Sequence, residues 1–227
     1  MAIRPVFIVN NQNPFYEERS IEFQFYNGFS ETQKHKSIDS LHTAFLRDNP
    51  SGTILEVSTK STNPIGVALS AFNLPVRVSS GTEYRLECVF QGSKVFEHGG
   101  PYLDLLPLMP WVVKKDSRLK ESGNLIAFRL DGTEFPLEPK TFFYDWLYVN
   151  AVSQNANLRE SILRYKAFTD IEFNPQKSIN CQARSAAIFV SLSTAGLLDS
   201  ALACPEDFCR IVYGKQFPSE GRQLSLF

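Results

Sequence analysis

A chain of 227 residues with 43% apolar side chains, including 19 phenylalanines, has the material for a substantial core. That excludes wholesale disorder and points to one domain with at most an appendage. The 23 Lys and Arg against 24 Asp and Glu leave a formal net charge of -1, which excludes a broad basic face that holds nucleic acid by counterion release alone. Any polynucleotide contact is therefore local. The opening "MAIRPVFIVNNQNP" has an apolar run too short for a secretory leader and no stretch approaches membrane-spanning length, so a cytoplasmic protein is expected.

In chain order the pattern alternates between strand and helix without an internal repeat. "RPVFIVN" and "IEFQFYNG" read as strands, the second alternating through Ile21, Phe23 and Phe25. A helix follows, opened by a capping box of Ser30 and Gln33 and presenting Ile38, Leu41, His42 and Phe45. "TILEVSTKS" and "GVALSAFNL" read as extended, and "LIAFRLDGTEFPL" as a hairpin turning at Asp131 and Gly132. Helices are then predicted for "TFFYDWLYVNAV", "NLRESILRYKAF" and "NPQKSINCQARSAAIFVSL", the last with Asn174 as N-cap and Pro175 in the first turn. "CPEDFCRIVYG" closes the folded part at Gly214, giving an α+β domain over residues 1–214, mostly helical with a small mixed sheet, and a tail over 215–227.

The stretch "YRLECVFQGSKVFEHGGPY" carries the chemistry. Placed on one helix, Leu86, Val89, Phe90, Ser93 and Phe96 fall within an arc of about 120°, with Glu87, Gln91 and Lys94 grouped within about 40° beside it. An acid, an amide and an amine then share a face, and Gly99 and Gly100 end the helix and let a ligand approach. A plain exposed ion pair explains the same spacing, so the pattern alone does not establish a site. Asp170, at the end of a strand in "FTDIEF", is either a third acid or a turn cap. Lys177, Asn180, Gln182 and Arg184 crowd the start of the predicted Asn174 helix, where amide hydrogens and a guanidinium suit a diphosphate or are simply solvated. Cys88, Cys181, Cys204 and Cys209 lack zinc-ligand spacing, so reduced thiols and no metal are expected. No Gly-rich phosphate loop is present, which counts against dinucleotide oxidoreductases and NTPases.

"LECVFQGSKVF" resembles the signature helix of the NADAR superfamily, hydrolases associated with NAD and ADP-ribose, with Glu87, Gln91 and Lys94 in the places of its Glu, Gln and Lys. "ALSAFNL" stands where the family carries a Leu-Ser-Asn-Phe-like stretch, with Ala71 in place of the usual Asn, and Trp146 in "FYDWLY" matches a Trp-bearing helix. "VFEHGGPYLDLL" and "AFTDIEFNPQKSINCQARSAA" are similar to one branch, the NADAR antitoxins encoded beside DarT-type toxins. Those toxins ADP-ribosylate guanosine in DNA. The resemblance implies an enzyme that removes the ADP-ribose without a cofactor, with ADP-ribosylated DNA as substrate and the toxin as genetic partner. It implies Glu87 as acid/base and Lys94 as nucleophile, with Asp170 a third candidate. An oxocarbenium-like state is stabilised by a carboxylate, and an amine traps an opened sugar as an imine; the sequence leaves imine formation and direct attack by water both open. Ser70, Phe72, Asn73, Gln91, Gly99, Gly100, Tyr102, Trp146, Asn180, Gln182 and Arg184 are the ligand-binding candidates that follow. Two alternatives stand beside this reading: an N-glycosidase of riboflavin-pathway intermediates, and a non-catalytic antitoxin that binds modified DNA or the toxin. Lys114, Lys115 and Arg118 are expected to supply the local DNA contacts.

The terminal "QLSLF" is similar to the pentapeptide by which bacterial polymerases and repair proteins dock on the sliding clamp. The resemblance gives Gln223 a polar anchor and Leu224, Leu226 and Phe227 an apolar groove to fill. The competing expectation is a short edge strand packed on the domain.

Overall fold

The computed structural model describes residues 1–217. A strand pair opens the fold, β1 (Ala2–Val9) and β2 (Tyr16–Phe23), followed by α1 (Glu31–Asp48), β3 (Ile54–Glu56) and α2 (Pro64–Ala68). The middle holds β4 (Pro75–Arg77), β5 (Glu83–Arg85), α3 (Leu86–Gly92), β6 (Lys94–Phe96), a 3-10 turn at Leu103–Leu105, α4 (Pro110–Val113) and α5 (Arg118–Glu121). The hairpin β7 (Leu125–Leu130) and β8 (Thr133–Phe135) leads into α6 (Phe142–Ser153), α7 (Ala156–Ile162), β9 (Ala167–Thr169), α8 (Gln182–Thr194), α9 (Leu198–Ala201) and α10 (Pro205–Tyr213). The class is α+β, as the sequence indicates.

Three sheets form, the largest in the order β2-β1-β9-β3. β1 and β2 pair antiparallel along their whole length, and β9 lies antiparallel to β1 and parallel to β3. The apolar face of α1, with Ile38, Leu41 and Phe45, buries against Val6, Phe23, Ala167 and Ile171 of this sheet. The third sheet, β6-β7-β8, turns at Asp131 and Gly132, which adopt φ of 50° and 80°. Positive φ at both central residues is what a two-residue hairpin requires, and Asp-Gly supplies it cheaply.

The main core forms around α6 and α8. α8 offers Ala183, Ala186 and Ala187, small side chains that admit Phe142, Phe143, Leu147 and Tyr148 into one buried cluster. Inside it lies Asp145, fully buried. An isolated buried carboxylate is expensive, and four donors compensate it: Ser185 Oγ at 2.5 Å, Tyr213 Oη at 2.6 Å, Thr141 Oγ1 at 2.9 Å and the Arg184 guanidinium at 3.1 Å. These bonds pin α6, α8 and α10 to one another.

Several element boundaries differ from the sequence reading. The Glu87 helix stops at Gly92, and Lys94–Phe96 is a strand because Lys94 and Val95 pair with Phe128 and Ala127 of β7. Gly99 and Gly100 therefore do not end that helix. Gly100, at φ 85°, packs where a Cβ would strike the Lys94 carbonyl oxygen, so it braces the strand. "GVALSAFNL" is not extended: Asn63 caps Pro64–Ala68, its side chain accepting from the Ile65 amide, and a turn follows. The predicted Asn174 helix begins only at Gln182, with Cys181 as N-cap, because Asn174 closes a separate turn with Lys177 and Ser178. "NLRESILRYKAF" divides into α7 and β9, and the second strand starts at Tyr16 instead of Ile21. Ser30 caps α1 from its side chain, whereas Gln33 Oε1 is buried without a partner, so the capping box is half made. Gly214 ends α10 at φ 63°, the helix stop that the sequence indicates. Gln223–Phe227 lie outside the described residues.

Candidate active site

Glu87 sits in the first turn of α3, where its position is fixed from two sides. The Glu87 amide donates to the Ala71 carbonyl at 2.9 Å and the Leu86 amide to the Leu74 carbonyl at 2.9 Å, so the 70–74 turn abuts the helix start. That turn is held in its place by α8, whose Gln182 Oε1 accepts from the Ala71 amide at 2.7 Å. Gln91, one turn along α3, donates from Nε2 to Glu87 Oε1 at 3.0 Å. Lys114, carried in by α4, approaches the same oxygen at 3.9 Å and lies 5.3 Å from the Phe72 ring.

Two adjoining recesses meet at Phe90, Gln91, Tyr144, Ser178 and Asn180. One, of about 470 Å³, is polar: Glu87, Asp170, Ser70, Phe72, Lys114 and Gln182 open onto it, with Glu172 and Lys177. The other, of about 450 Å³, is walled by Leu125, Phe128, Pro136, Phe143 and Ile179, and its one lining amine besides Lys140 is Lys94. Asn180 Oδ1, between the two, is buried and has no partner among the described residues. An acceptor left unpaired inside a protein is costly, and here it faces a space that admits a donor.

The amine and the acids are tuned in opposite directions. Lys94 Nζ lies 5.2 Å from the Phe90 ring centre. Burial pulls its pKa below the ordinary lysine value, Glu87 partly offsets that, and the positive charge of Lys114 adds to the lowering. Asp170 is raised well above the usual carboxylate range, first by burial and next by Glu56. Glu56, on the adjacent strand β3, is also pushed up by burial. Yet it accepts from Thr169 Oγ1 at 2.6 Å and the Ile171 amide at 2.8 Å, and from Ser58. Those donors favour its ionised form and oppose the effect of burial, as the Glu172 amide and Gln182 do at Asp170. Behind them His42 Nε2 meets Thr169 Oγ1 at 2.8 Å, and burial lowers the imidazole to about 4.

Of the residues singled out from sequence, Glu87, Gln91, Asp170, Ser70, Phe72, Asn180 and Gln182 share the polar recess and Lys94 faces the aromatic one. The others lie elsewhere. Asn73 is used within its own turn, donating to Val67 O and Ser70 Oγ. Tyr102 bonds Ser122 under the Arg118 guanidinium, and Gly99 contacts Tyr102 rather than a recess. Trp146, half-buried, packs on Phe135 at 4.9 Å against the edge of the core. Arg184 is spent on Asp145 and the Ile179 carbonyl instead of reaching outward. Sequence reasoning passed over Phe90, Tyr144 and Glu56. Tyr144 lies two residues before Trp146 on α6, so the aromatic character of that helix was visible while its inward-facing member was not.

Fold and cavity define a class: a small α+β domain with a pocket in which carboxylates and a lysine of reduced basicity meet across aromatic rings. The chain belongs to the DarT1-associated NADAR antitoxins, whose family signature matches residues 2–222. Membership gives it an antitoxin role in a DarT toxin–antitoxin system. Among curated proteins none matches the chain. The matched region ends one residue before Gln223, so the QLSLF segment falls beyond it. No helix among the described residues is long and apolar enough to cross a membrane.

Proposed function

We propose that this antitoxin is a hydrolase that removes ADP-ribose from ADP-ribosylated guanosine in DNA. The observation that carries the reading is the junction of the two recesses, where Glu87 and Gln91 come from one side and Lys94 from the other, separated by Phe90 and Tyr144. Each recess lies in the size range of small-molecule sites, about 300–1,000 Å³. The aromatic recess suits a base, and Lys114 and Lys177 at the polar recess suit a diphosphate.

The reaction uses these groups at one carbon. As the bond from the anomeric carbon to the ring oxygen breaks, the oxygen keeps the electron pair and takes a proton from Glu87. Glu87 recovers a proton from the incoming amine and meanwhile stabilises the positive charge left at that carbon. Lys94, less basic than an exposed lysine, presents a neutral amine whose nitrogen bonds that carbon. The bond from carbon to the guanine nitrogen then breaks, its electron pair leaves with the base, and a carboxylic acid supplies the proton. Asp170, whose pKa is raised by burial, fits that donor role. Water cleaves the resulting imine, returning the Lys94 amine and releasing ADP-ribose. Gln91 holds the Glu87 carboxylate in place throughout.

Incubating the protein with an ADP-ribosylated single-stranded oligonucleotide should release free ADP-ribose over many turnovers. Binding without release would instead identify a blocking antitoxin, and turnover of riboflavin-pathway intermediates without action on DNA would assign the site to a small molecule.

The QLSLF segment supports a second, separable part of the proposal, docking on the bacterial sliding clamp. A tethered enzyme gains local concentration at replicating DNA without new DNA contacts. A synthetic peptide ending in QLSLF should bind purified clamp and compete with a clamp-binding polymerase. Absence of binding at high micromolar peptide removes the replisome connection and leaves the hydrolase untouched.

A further inference from the structure

A nucleotide seated in a pocket has neighbours on its strand, and these neighbours must lie on the rim. The rim is uneven. Five of the thirteen exposed large hydrophobic side chains among the described residues fall between Leu103 and Val112, the most prominent being Leu103 at 57% and Trp111 at 54% exposure. They belong to a cap over α3, fastened by a small core of Cys88, Leu105 and Val113 and by the Cys88 thiol donating to the Leu108 carbonyl at 3.1 Å. A rigid mounting therefore presents apolar groups to solvent, which is the pattern of a contact surface and not of a frayed loop.

The charge on this cap is sorted. Arg118 is held by Asp104 and Asp116, both at under 3 Å, and lies over the Tyr102 ring. The guanidinium read from sequence as a DNA contact is thus neutralised by its own neighbours, and the same pairing removes the two acids from play. Lys115 and Lys120 remain exposed, and none of the ion pairs among the described residues uses either. Lys114, one helical turn from Trp111, reaches into the polar recess. Elsewhere on the rim the side chains include Glu172 and Glu138.

From this arrangement we infer that the α4 cap is a landing surface for single-stranded DNA, with Trp111 stacking on a base next to the modified one and Lys115 and Lys120 meeting phosphates. The inference rests on the hydrolase reading for the identity of the strand. An exposed aromatic and lysines on a segment whose Lys114 enters the polar recess form a combination that binds unpaired strands without reading their sequence. It also reconciles DNA as substrate with a chain of net charge -1, because the grip is confined to one patch.

The test compares substrates of two lengths. Trp111→Ala should lower kcat/KM on a modified oligonucleotide about tenfold, while kcat/KM on ADP-ribosylated guanosine as a lone nucleoside stays unchanged. Equal loss on both, or no loss on either, overturns the surface. A second readout does not depend on turnover: unmodified oligo(dT) at low salt should quench wild-type tryptophan emission, and Trp111→Phe, which leaves only the half-buried Trp146, should abolish the quench. Replacing Lys115 and Lys120 by Ala should reduce the slope of log affinity against log salt by about 0.7 for each lysine. Wild-type protein that is quenched but releases no ADP-ribose would keep the surface and refute the hydrolase. Release without quench, with oligonucleotide kinetics of Trp111→Ala intact, would do the reverse. A Trp111→Ala variant that loses only toxin binding would reassign the patch to a protein partner and overturn the proposal.

Discussion

The polar and aromatic recesses share a partition and differ in how they are built. The polar one gathers the ends of short elements far apart in sequence: the 70–74 turn, the first turn of α3, Lys114 after α4, and Asp170 after β9. Each piece is tied by hydrogen bonds, as with the Ala71 amide on Gln182 and Gln91 on Glu87. The aromatic one is made mostly by the β6–β7–β8 sheet and the entry into α6, closed by α3 and residues 178–180, with Phe90, Phe128 and Phe143 packed at 4.6 to 6.1 Å. The contrast explains the placement of the charges. Carboxylates stand where donors are available to hold them, and the amine stands where rings exclude water and lower its basicity.

Replacing the amine tests the aromatic side most severely. Lys94→Ala should reduce release of ADP-ribose by about 10³-fold or more, the scale of losing a group that acts in the chemical step. Lys94→Arg should fall as far, because a guanidinium keeps the charge and cannot form the imine; wild-type rates in Lys94→Arg would remove the nucleophile. On the polar side, Glu87→Gln should cost about 10²–10³-fold in kcat with the fold intact, measured alongside the thermal unfolding midpoint. If turnover survives, the carboxylate belongs to packing and the partition is not the reaction centre.

The back wall of the polar recess gives a smaller, thermodynamic effect. His42 is lowered to about 4, so between its unfolded value near 6.5 and that point the unfolded chain binds more protons than the folded one. Stability from this group is present at neutral pH and declines on acidification through that window, by about 3 kcal/mol in all. Denaturant unfolding at pH 7 and at pH 4 should show this decline in wild type relative to His42→Gln, since the difference between the two proteins cancels the other titrating groups. Parallel profiles would mean that His42 is not buried against Thr169 as described.

The smallest expected change is a shift in pH dependence. Activity should depend on a neutral Lys94 amine and a protonated Asp170 carboxyl, so the pH profile should have two limbs, one displaced below the ordinary lysine range and one above the ordinary carboxylate range. Glu56→Gln removes the negative charge beside Asp170, so the limb that reports Asp170 should move to lower pH while the limb that reports Lys94 stays. A profile of kcat/KM that does not move separates Glu56 from Asp170 and removes Asp170 as the proton donor.

Local signals in the chain were legible and long-range ones were not. The Asp131–Gly132 hairpin, the α6 segment and the Gly214 stop follow from turn chemistry and apolar periodicity, which neighbouring residues settle among themselves. The Glu87–Gln91 spacing of four was readable for the same reason. Lys94 was assigned to the right neighbourhood through the wrong element: pairing with Phe128, 34 positions away, turns residues 94–96 into a strand that helix periodicity does not anticipate. Arg184 could be read as an anion clamp or as a solvated side chain, and neither reading anticipates that α6 brings buried Asp145 against it. Trp146 and Tyr144 lie on one helix, and packing decides that the first rests half-buried on Phe135 and the second lines the site.

The covalent role of Lys94 carries the account, and it can be seen directly. Borohydride added during turnover of an ADP-ribosylated oligonucleotide reduces an imine to a stable amine, and peptide mapping by mass spectrometry then locates the sugar. The account predicts ADP-ribose on the peptide containing Lys94, absent in Lys94→Ala and absent without borohydride. Continued release of ADP-ribose with Lys94 unmodified, under conditions that trap a control imine, would contradict it.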